Sequence, residues 1–319
     1  MGNLPVERLR ALRPFLICGV DFCGPIYTTL KIRGRPPVKT YIAVFICFTS
    51  KAVHLELVSD LSSNSFILAL KRFIGRRGMP TKIFSDNATN SVGADRKLRE
   101  LKEAFLAMGP DLKRFAADEG CSFTFIPPRA PHFGGLWEAA VKSAKHHIVR
   151  VTGSALLTAE ELATVLAEVE AILNSRPLVP VSQDPNDGEA LTPAHLLIGC
   201  SLRALPPEKV PVDPVRCCER WQLVCCLKQQ FWRQWSKVYL TGLQERNKWL
   251  HPKRNMQLND LVLVHEDNVP PQQWVLGRVV ETVEGQDGKV RVAEVATKTG
   301  TIKRPIHKLA VLPLDIEGI

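Results

Sequence analysis

Phe15-Leu-Ile-Cys-Gly-Val-Asp-Phe-Cys-Gly-Pro25 is an apolar run broken by a single acid, Asp21, and closed by a Gly-Pro turn signal. Near-continuous hydrophobicity of this kind reads as a strand buried on both faces. An acid flanked by Val20 and Phe22 in such a run needs a partner if it is buried. Asp21 is therefore the first candidate for chemistry.

Outward from this run, the chain alternates apolar stretches with turn signals. The basic loop Lys31-Ile-Arg-Gly-Arg-Pro-Pro37 separates the first run from Tyr41–Phe48, and Ala52–Val58 follows, giving three sequential strands. Ser62-Ser-Asn-Ser65 caps a helical pattern through Phe66, Leu70, Phe73 and Ile74, which Gly78 and Pro80 stop. Lys82–Ser85 is a short strand that delivers Asp86. Residues 94–108 read as a charged amphipathic helix, Cys121–Ile126 as a fifth strand ended by Pro127-Pro128, and Leu136 to Val151 as a helix. The order β-β-β-α-β-α-β-α predicts a mixed five-stranded sheet flanked by helices. That is the element order of the RNase H-like fold, an analogy that carries no chemistry by itself.

Further along, Thr158-Ala-Glu-Glu161 is a capping box for a helix to Asn174. The Pro-rich stretch from Pro177 to Pro214 reads as a connector with a helical turn at Pro193–Ile198. A helix carrying Trp221, Phe231, Trp232 and Trp235 leads through a basic segment, Arg246-Asn-Lys-Trp-Leu-His-Pro-Lys-Arg254, to four strand-like runs: Leu261–His265, Trp274–Val283, Val290–Thr297 and Thr301–Ile306. An Asp287-Gly288 hairpin joins the middle pair, and a small SH3-like β-barrel is expected. The expected organisation is a lead-in over 1–12, an RNase H-like core over 13–180, a linker over 181–214, a helical segment over 215–255 and the barrel over 256–319.

The bulk numbers narrow the function. A chain of 319 residues exceeds one ordinary core. Its 45% hydrophobic and 23% charged residues describe a globular protein. A net charge of +10 points to a polyanionic partner, because clustered Lys and Arg displace counterions from phosphates. The longest apolar stretch, Tyr41–Phe48, is far short of the ~20 residues a bilayer needs, and Met1-Gly-Asn-Leu-Pro carries no secretory pattern, so no membrane is expected. The nine cysteines sit in mostly apolar contexts that suit a reducing compartment, and the doublets Cys217-Cys218 and Cys225-Cys226 lack zinc-ligand spacing. There is no phosphate loop, nucleophile elbow or metalloprotease helix, so no nucleotide cofactor is expected.

Asp21, Asp86 and Glu138 form the constellation that can carry chemistry. Two acids end strand-like runs and the third opens a helix-like run rich in Lys. Oxygen-only ligation suits Mg²⁺ or Mn²⁺ over zinc. Two such ions roughly 3.5–4 Å apart activate a water or hydroxyl and stabilise a leaving oxygen. Lys142 and Lys145 fall at i+4 and i+7 from Glu138, on one helical face suited to a phosphate backbone. Arg129 and His132, just before Gly134-Gly135, and Asn87 and Asn90 beside Asp86, are further candidates for contact with nucleic acid. So are Arg246, Lys248, Lys253 and Arg254 in the later basic segment.

At these residues the chain resembles retroelement integrases of the BEL/Pao type. The resemblance rests on Gly19-Val-Asp-Phe-Cys-Gly-Pro25, Lys51-Ala-Val-His-Leu-Glu-Leu57, Ser85-Asp-Asn-Ala-Thr-Asn90, Ile126-Pro-Pro-Arg-Ala-Pro-His-Phe-Gly-Gly-Leu-Trp-Glu138 and Leu173-Asn-Ser-Arg-Pro177. It continues through Leu191-Thr-Pro193, Phe231-Trp-Arg-Gln-Trp235 and Trp274-Val-Leu-Gly-Arg278. It implies a D,D,E catalytic core with Asp21, Asp86 and Glu138 as ligands of two Mg²⁺ (or Mn²⁺) ions. The implied reaction trims element DNA ends and joins each 3′ hydroxyl to target DNA by direct transesterification. DNA is then the partner, a homo-oligomer forms on it, and the nucleus is the expected location. Two positions depart from the family pattern: Ala88 stands where Gly is usual after Asp-Asn, and Ser91 where an aromatic is usual. The chain also starts after the zinc-binding His/Cys module that precedes such cores. A catalytically decayed or host-captured DNA-binding protein, and an RNase H-like nuclease using the same carboxylates, therefore stay open as alternatives.

Overall fold

The computed structural model describes residues 13–85, 107–118, 120–125, 140–153, 155–181, 190–202, 219–244, 255–266 and 269–312, with 103, 214 and 217 between them. The chain divides into two compact units, Met1–Leu173 with Val210–Phe231, and Asn174–Lys209 with Trp232–Ile319.

The first unit is built on a five-stranded sheet. Its strands are β1 (Ile17–Thr28), β2 (Val38–Cys47), β3 (Val53–Val58), β4 (Lys82–Ser85) and β5 (Ser122–Phe125). They lie in the order β3-β2-β1-β4-β5. The first three are antiparallel neighbours, while β4 runs parallel to β1 and β5 parallel to β4. This is the RNase H-like sheet, with β1 in its centre. Period-two alternation sends Val20 and Phe22 to one face and Asp21 to the other. On the Val20 face, Phe22 meets Phe66, and Phe45 stacks on Phe73 with ring centroids 4.2 Å apart. Both Phe66 and Phe73 come from α1 (Ser63–Arg77). Burying several aromatic rings in one layer supplies most of the drive for this packing.

Local signals set the helix ends. The Ser62 side chain accepts the Ser65 N–H at 3.2 Å, and Gly78, at φ +81°, closes α1 by donating its N–H to the Ile74 carbonyl. A further helix, α2 (Gly109–Asp118), precedes β5, and α3 (Ala140–Thr152) and α4 (Ala159–Asn174) follow it. The capping box at the start of α4 forms as expected: Glu161 N–H donates to Thr158 Oγ1, and Thr158 N–H to Glu161 Oε2. The helix expected over 94–108 lies outside the described residues except at 103, 107 and 108, of which 103 and 107 are helical.

The second unit carries a short ladder, β6 (Val179–Pro180) with β7 (Ala190–Leu191), and the helix α5 (Pro193–Ile198). The long helix α6 (Arg220–Gln244) gives its first turns to the first unit and its last turns to the second. A five-stranded antiparallel sheet follows: β8 (Leu261–Val264), β9 (Val275–Glu284), β10 (Val290–Thr297), β11 (Gly300–Pro305) and β12 (Leu309–Val311), in the order β11-β10-β9-β8-β12. The last strand returning to pair with the first is the SH3-like arrangement.

Alternation in β8 explains both layers of this unit. Val262 and Val264 face Val279, Ala293 and Val295 inside the sheet's curl, while Leu261 and Leu263 pack with Leu240 and Tyr239 of α6. Gly277 is required by a close approach, since a Cβ there would lie 2.4 Å from Val295 Cγ1 and 2.7 Å from the Ala296 carbonyl. The hairpin at Asp287-Gly288 uses a three-residue loop rather than two. Gly288, at φ +70°, donates to Gly285, and Gly285 pairs with Lys289, the pattern of a turn followed by a left-handed residue.

Candidate functional site

Asp21 sits on β1 opposite Val44 of β2, one residue past the pairing of Val20 with Ser85, where β4 ends. Its side chain is 36% exposed. Oδ1 accepts the Phe22 N–H at 2.7 Å, and Oδ2 is held by the ammonium of Lys145.

Lys145 comes from α3. That helix buries Ala144, Ile148 and Val151, a stripe at i, i+4 and i+7, so Lys145 stands at the margin of the buried face. Its side chain is only 16% exposed. Lys142 is exposed, so the two lysines placed on one face by spacing part company: one turns in to the carboxylate and the other faces solvent. Cys23, on the same side of β1 as Asp21, has its thiol pushed up to about 12 by burial; Lys145 lowers it and Asp21 raises it further. Burial therefore favours the thiol over the thiolate.

Asp86, Glu138, Arg129, His132, Asn87, Asn90, Arg246, Lys248, Lys253 and Arg254 all lie outside the described residues. Of the acids expected to converge, Asp21 alone is described. Among the described residues, no group of three or more His, Cys, Asp or Glu side chains is placed to hold a metal ion. Among the described residues, too, no helix is long and apolar enough to cross a membrane.

A second cluster of charged groups was not anticipated from the sequence. His54, on the edge strand β3, is 1% exposed and Glu56 is 3% exposed. His54 Nε2 lies 3.0 Å from Glu56, and its Nδ1 lies 3.1 Å from Glu170 of α4. Arg72 and Arg76 of α1 reach Glu56 at 2.7 and 2.8 Å, and Arg77 pairs with Glu170. Glu170 also accepts the Leu55 N–H at 2.9 Å, which occupies a donor that an edge strand leaves open. The only hint was period two, which puts His54 and Glu56 on one side of β3; their partners are distant in sequence.

Burial lowers the His54 pKa, but its contacts with Glu170 and Glu56 outweigh burial and raise it overall. Burial raises both carboxyls, and His54 with the arginines brings both below the ordinary value. The His54 contribution to stability is complete below its ordinary value of 6.5 and is lost as pH rises through the raised folded value. The two glutamates contribute above their ordinary 4.5 and lose that contribution as pH falls through their lowered values. The cluster is therefore tightest between about pH 4.5 and 6.5. Urea midpoints measured from pH 5 to 9 should fall on the alkaline side, and His54→Gln should flatten that decline. An alkaline limb unchanged in the variant would mean that another group causes it.

The motifs shared with the integrase pattern in the tail are packed together. Trp274 lies edge-on to Trp232 and Tyr239, with centroids 4.8 and 5.5 Å apart, and its indole N–H donates to Ser175 Oγ at 3.2 Å. The Tyr239 hydroxyl donates to the Pro177 carbonyl at 2.5 Å, and burial raises it to about 12. These residues form an aromatic core in the second unit.

Strand order and register thus define the class of architecture: an RNase H-like unit followed by an SH3-like unit. Residues 219–312 match a family model described as a family of unknown function, DUF5641. No curated protein sequence matches the chain. Among solved structures, the chain is similar to a simian T-cell lymphotropic virus intasome in complex with PP2A regulatory subunit B56 gamma, at 14% identity and a TM-score of 0.37 over 98% of this chain and 83% of that one. It is similar to the HTLV-2 integrase catalytic core in complex with magnesium, at 18% identity and a TM-score of 0.34 over 59% and 99%. The BIV integrase catalytic core gives 16% identity and a TM-score of 0.35 over 58% and 95%. The fold assignment stands on strand order and register, independently of these similarities.

Proposed function

We propose that the chain is an integrase-type polynucleotidyl transferase of the BEL/Pao type, acting on DNA through Asp21, Asp86 and Glu138 with two Mg²⁺ or Mn²⁺ ions. The observation that carries the reading is the seat of Asp21. It is a partly exposed carboxylate at the centre of the sheet, already holding a cation from α3 on one oxygen. A seat that accepts an ammonium suits a hard divalent ion in charge and donor type. Chain connectivity supports the other two ligands. Asp86 follows in sequence directly on Ser85, the register partner of Val20. Glu138 lies two residues before the start of α3, the helix that brings Lys145 to Asp21.

The bound ions would supply an activated hydroxyl and charge neutralisation at the transferred phosphate. Asp21, its Oδ1 fixed by the Phe22 amide, would be one of the residues holding them. Lys145 neutralises Asp21 when it is unliganded and can turn to a phosphate. DNA as partner, assembly into a homo-oligomer on it and a nuclear location follow from this reading.

The test is a strand-transfer assay with labelled duplex ends, in Mg²⁺ and in Mn²⁺, comparing the wild type with Glu138→Gln. Product from the wild type alone is the expected result. A second reading, a DNA-binding protein that has lost catalysis, draws on Ala88 in Ser85-Asp-Asn-Ala-Thr-Asn90. Equal DNA affinity with no product from either protein would decide for it.

A further inference from the structure

We infer that the distal end of the β1–β2 hairpin is a second DNA-contacting element, a two-stranded ribbon that grips duplex phosphates away from Asp21; this rests on the DNA reading above. β1 and β2 shift register between Cys23 and Ile26 and then pair again, Ile26 with Thr40, Tyr27 with Lys39 and Thr28 with Val38. Among the described residues, no other strand of the sheet follows them there: β3 pairs with β2 as far as Tyr41, and β4 with β1 as far as Val20. One edge is tied down where Thr28 bridges Leu157, and the Thr29 N–H donates to the Leu157 carbonyl at 2.8 Å. The ribbon is therefore tied down at its last pair, where the loop begins.

Its tip is open and strongly basic. Residues 30–39 are all exposed. No acid occurs between Asp21 and Glu56, a stretch that holds Lys31, Arg33, Arg35, Lys39 and Lys51. Lys31 pairs with Glu161, but Arg220 also holds that carboxylate, so no negative charge is left over at the base. Arg220 leads a set of contacts that, against burial, keeps the Glu161 carboxyl far below its ordinary range. Arg33, Arg35 and Lys39 have no acidic partner among the described residues. Left unpaired on an exposed strip, they suit a polyanion with regularly spaced charge. Arg33 and Arg35 lie in the loop over 29–37 that joins the two strands, and Lys39 stands on β2 at the foot of that loop. Exposed Leu30 and Ile32 flank the cations and give sugars and base edges an apolar contact.

The spacing fits a remote contact. Asp21 to Thr28 is seven strand steps, roughly 23 Å at ~3.3 Å per residue, which is about seven base pairs of B-DNA. One duplex can then lie on Asp21 and reach the ribbon.

The test uses the full chain and a labelled 30-base-pair duplex, with affinity measured across a salt series. The variant is Arg33→Gln/Arg35→Gln/Lys39→Gln, and Lys71→Gln/Lys113→Gln/Arg114→Gln serves as a control on another exposed face. The ribbon variant should flatten the slope of log affinity against log salt by about 2.7, at ~0.9 per phosphate contact. Its thermal melting should match the wild type, since all three side chains are exposed. An unchanged slope overturns the inference, and so does an equal flattening in the control. An unchanged DNA slope with lost binding to polyglutamate would assign the ribbon to an acidic protein partner, and also overturns it. A wild type that binds DNA but joins no ends would defeat the catalytic proposal and leave the ribbon untouched. Normal joining with an unaltered slope would defeat the ribbon alone.

Discussion

Asp21→Asn is expected to lower strand transfer by at least ~10³-fold, about 4 kcal/mol of transition-state stabilisation, while leaving DNA binding intact or stronger. The substitution keeps the shape and an oxygen able to accept the Phe22 amide, now 2.7 Å from Oδ1, so the strand should hold its geometry. It removes the charge that seats a cation. Removing a negative charge beside the proposed DNA path should help binding, which separates loss of chemistry from loss of substrate. Lys145→Gln should cost much less activity, because Lys145 serves Asp21 rather than the ions. Product from the Asn variant within tenfold of the wild type would remove Asp21 from the reaction.

The largest stability effect is expected at Glu170. It binds His54, Arg77 and the Leu55 amide, tying α4 and α1 to the free edge of the sheet. Glu170→Ala should destabilise the first unit by about 3–5 kcal/mol, because it leaves neighbouring charge and an edge donor without an acceptor. Glu170→Gln should cost less, since the amide oxygen can still accept the Leu55 N–H. A double-mutant cycle with Arg77→Gln would isolate the pair. Denaturant unfolding followed in the intact chain is the measurement, and a loss below ~1 kcal/mol for the Ala variant would show that the cluster is not a structural tie.

Much of the fold was readable because apolar runs and capping signals act locally. β1 and β2 follow from near-continuous hydrophobicity and β3 from an apolar run after a turn signal, and the capping box and the helical turn at Pro193–Ile198 formed where the sequence placed them. The additional helix α2 escaped because Gly109-Pro110 resembles a stop. Proline is tolerated in a first turn, where its missing N–H has no partner to lose, and Leu112 and Ala116 then bury one face. The closing strand β12 escaped because three residues give no periodicity to detect, although pairing with β8 completes the SH3-like sheet. The site was legible as residue types but not as contacts. Spacing grouped Lys142 with Lys145, whereas burial of Ala144 and Ile148 rotates Lys145 toward Asp21. The His54 cluster joins groups more than a hundred residues apart, and no local rule reaches that far.

The aromatic nest around Trp274 has a practical consequence. Three of the chain's six tryptophans, Trp232, Trp235 and Trp274, crowd into one small interior in the second unit, while Trp221 lies on the surface of the first. Indole emission responds to such surroundings, so among the described tryptophans the blue-shifted emission is a built-in dye for the SH3-like half. Monitored beside circular dichroism, whose signal the helices of the first unit share, it would show whether the two halves melt as one body or in succession.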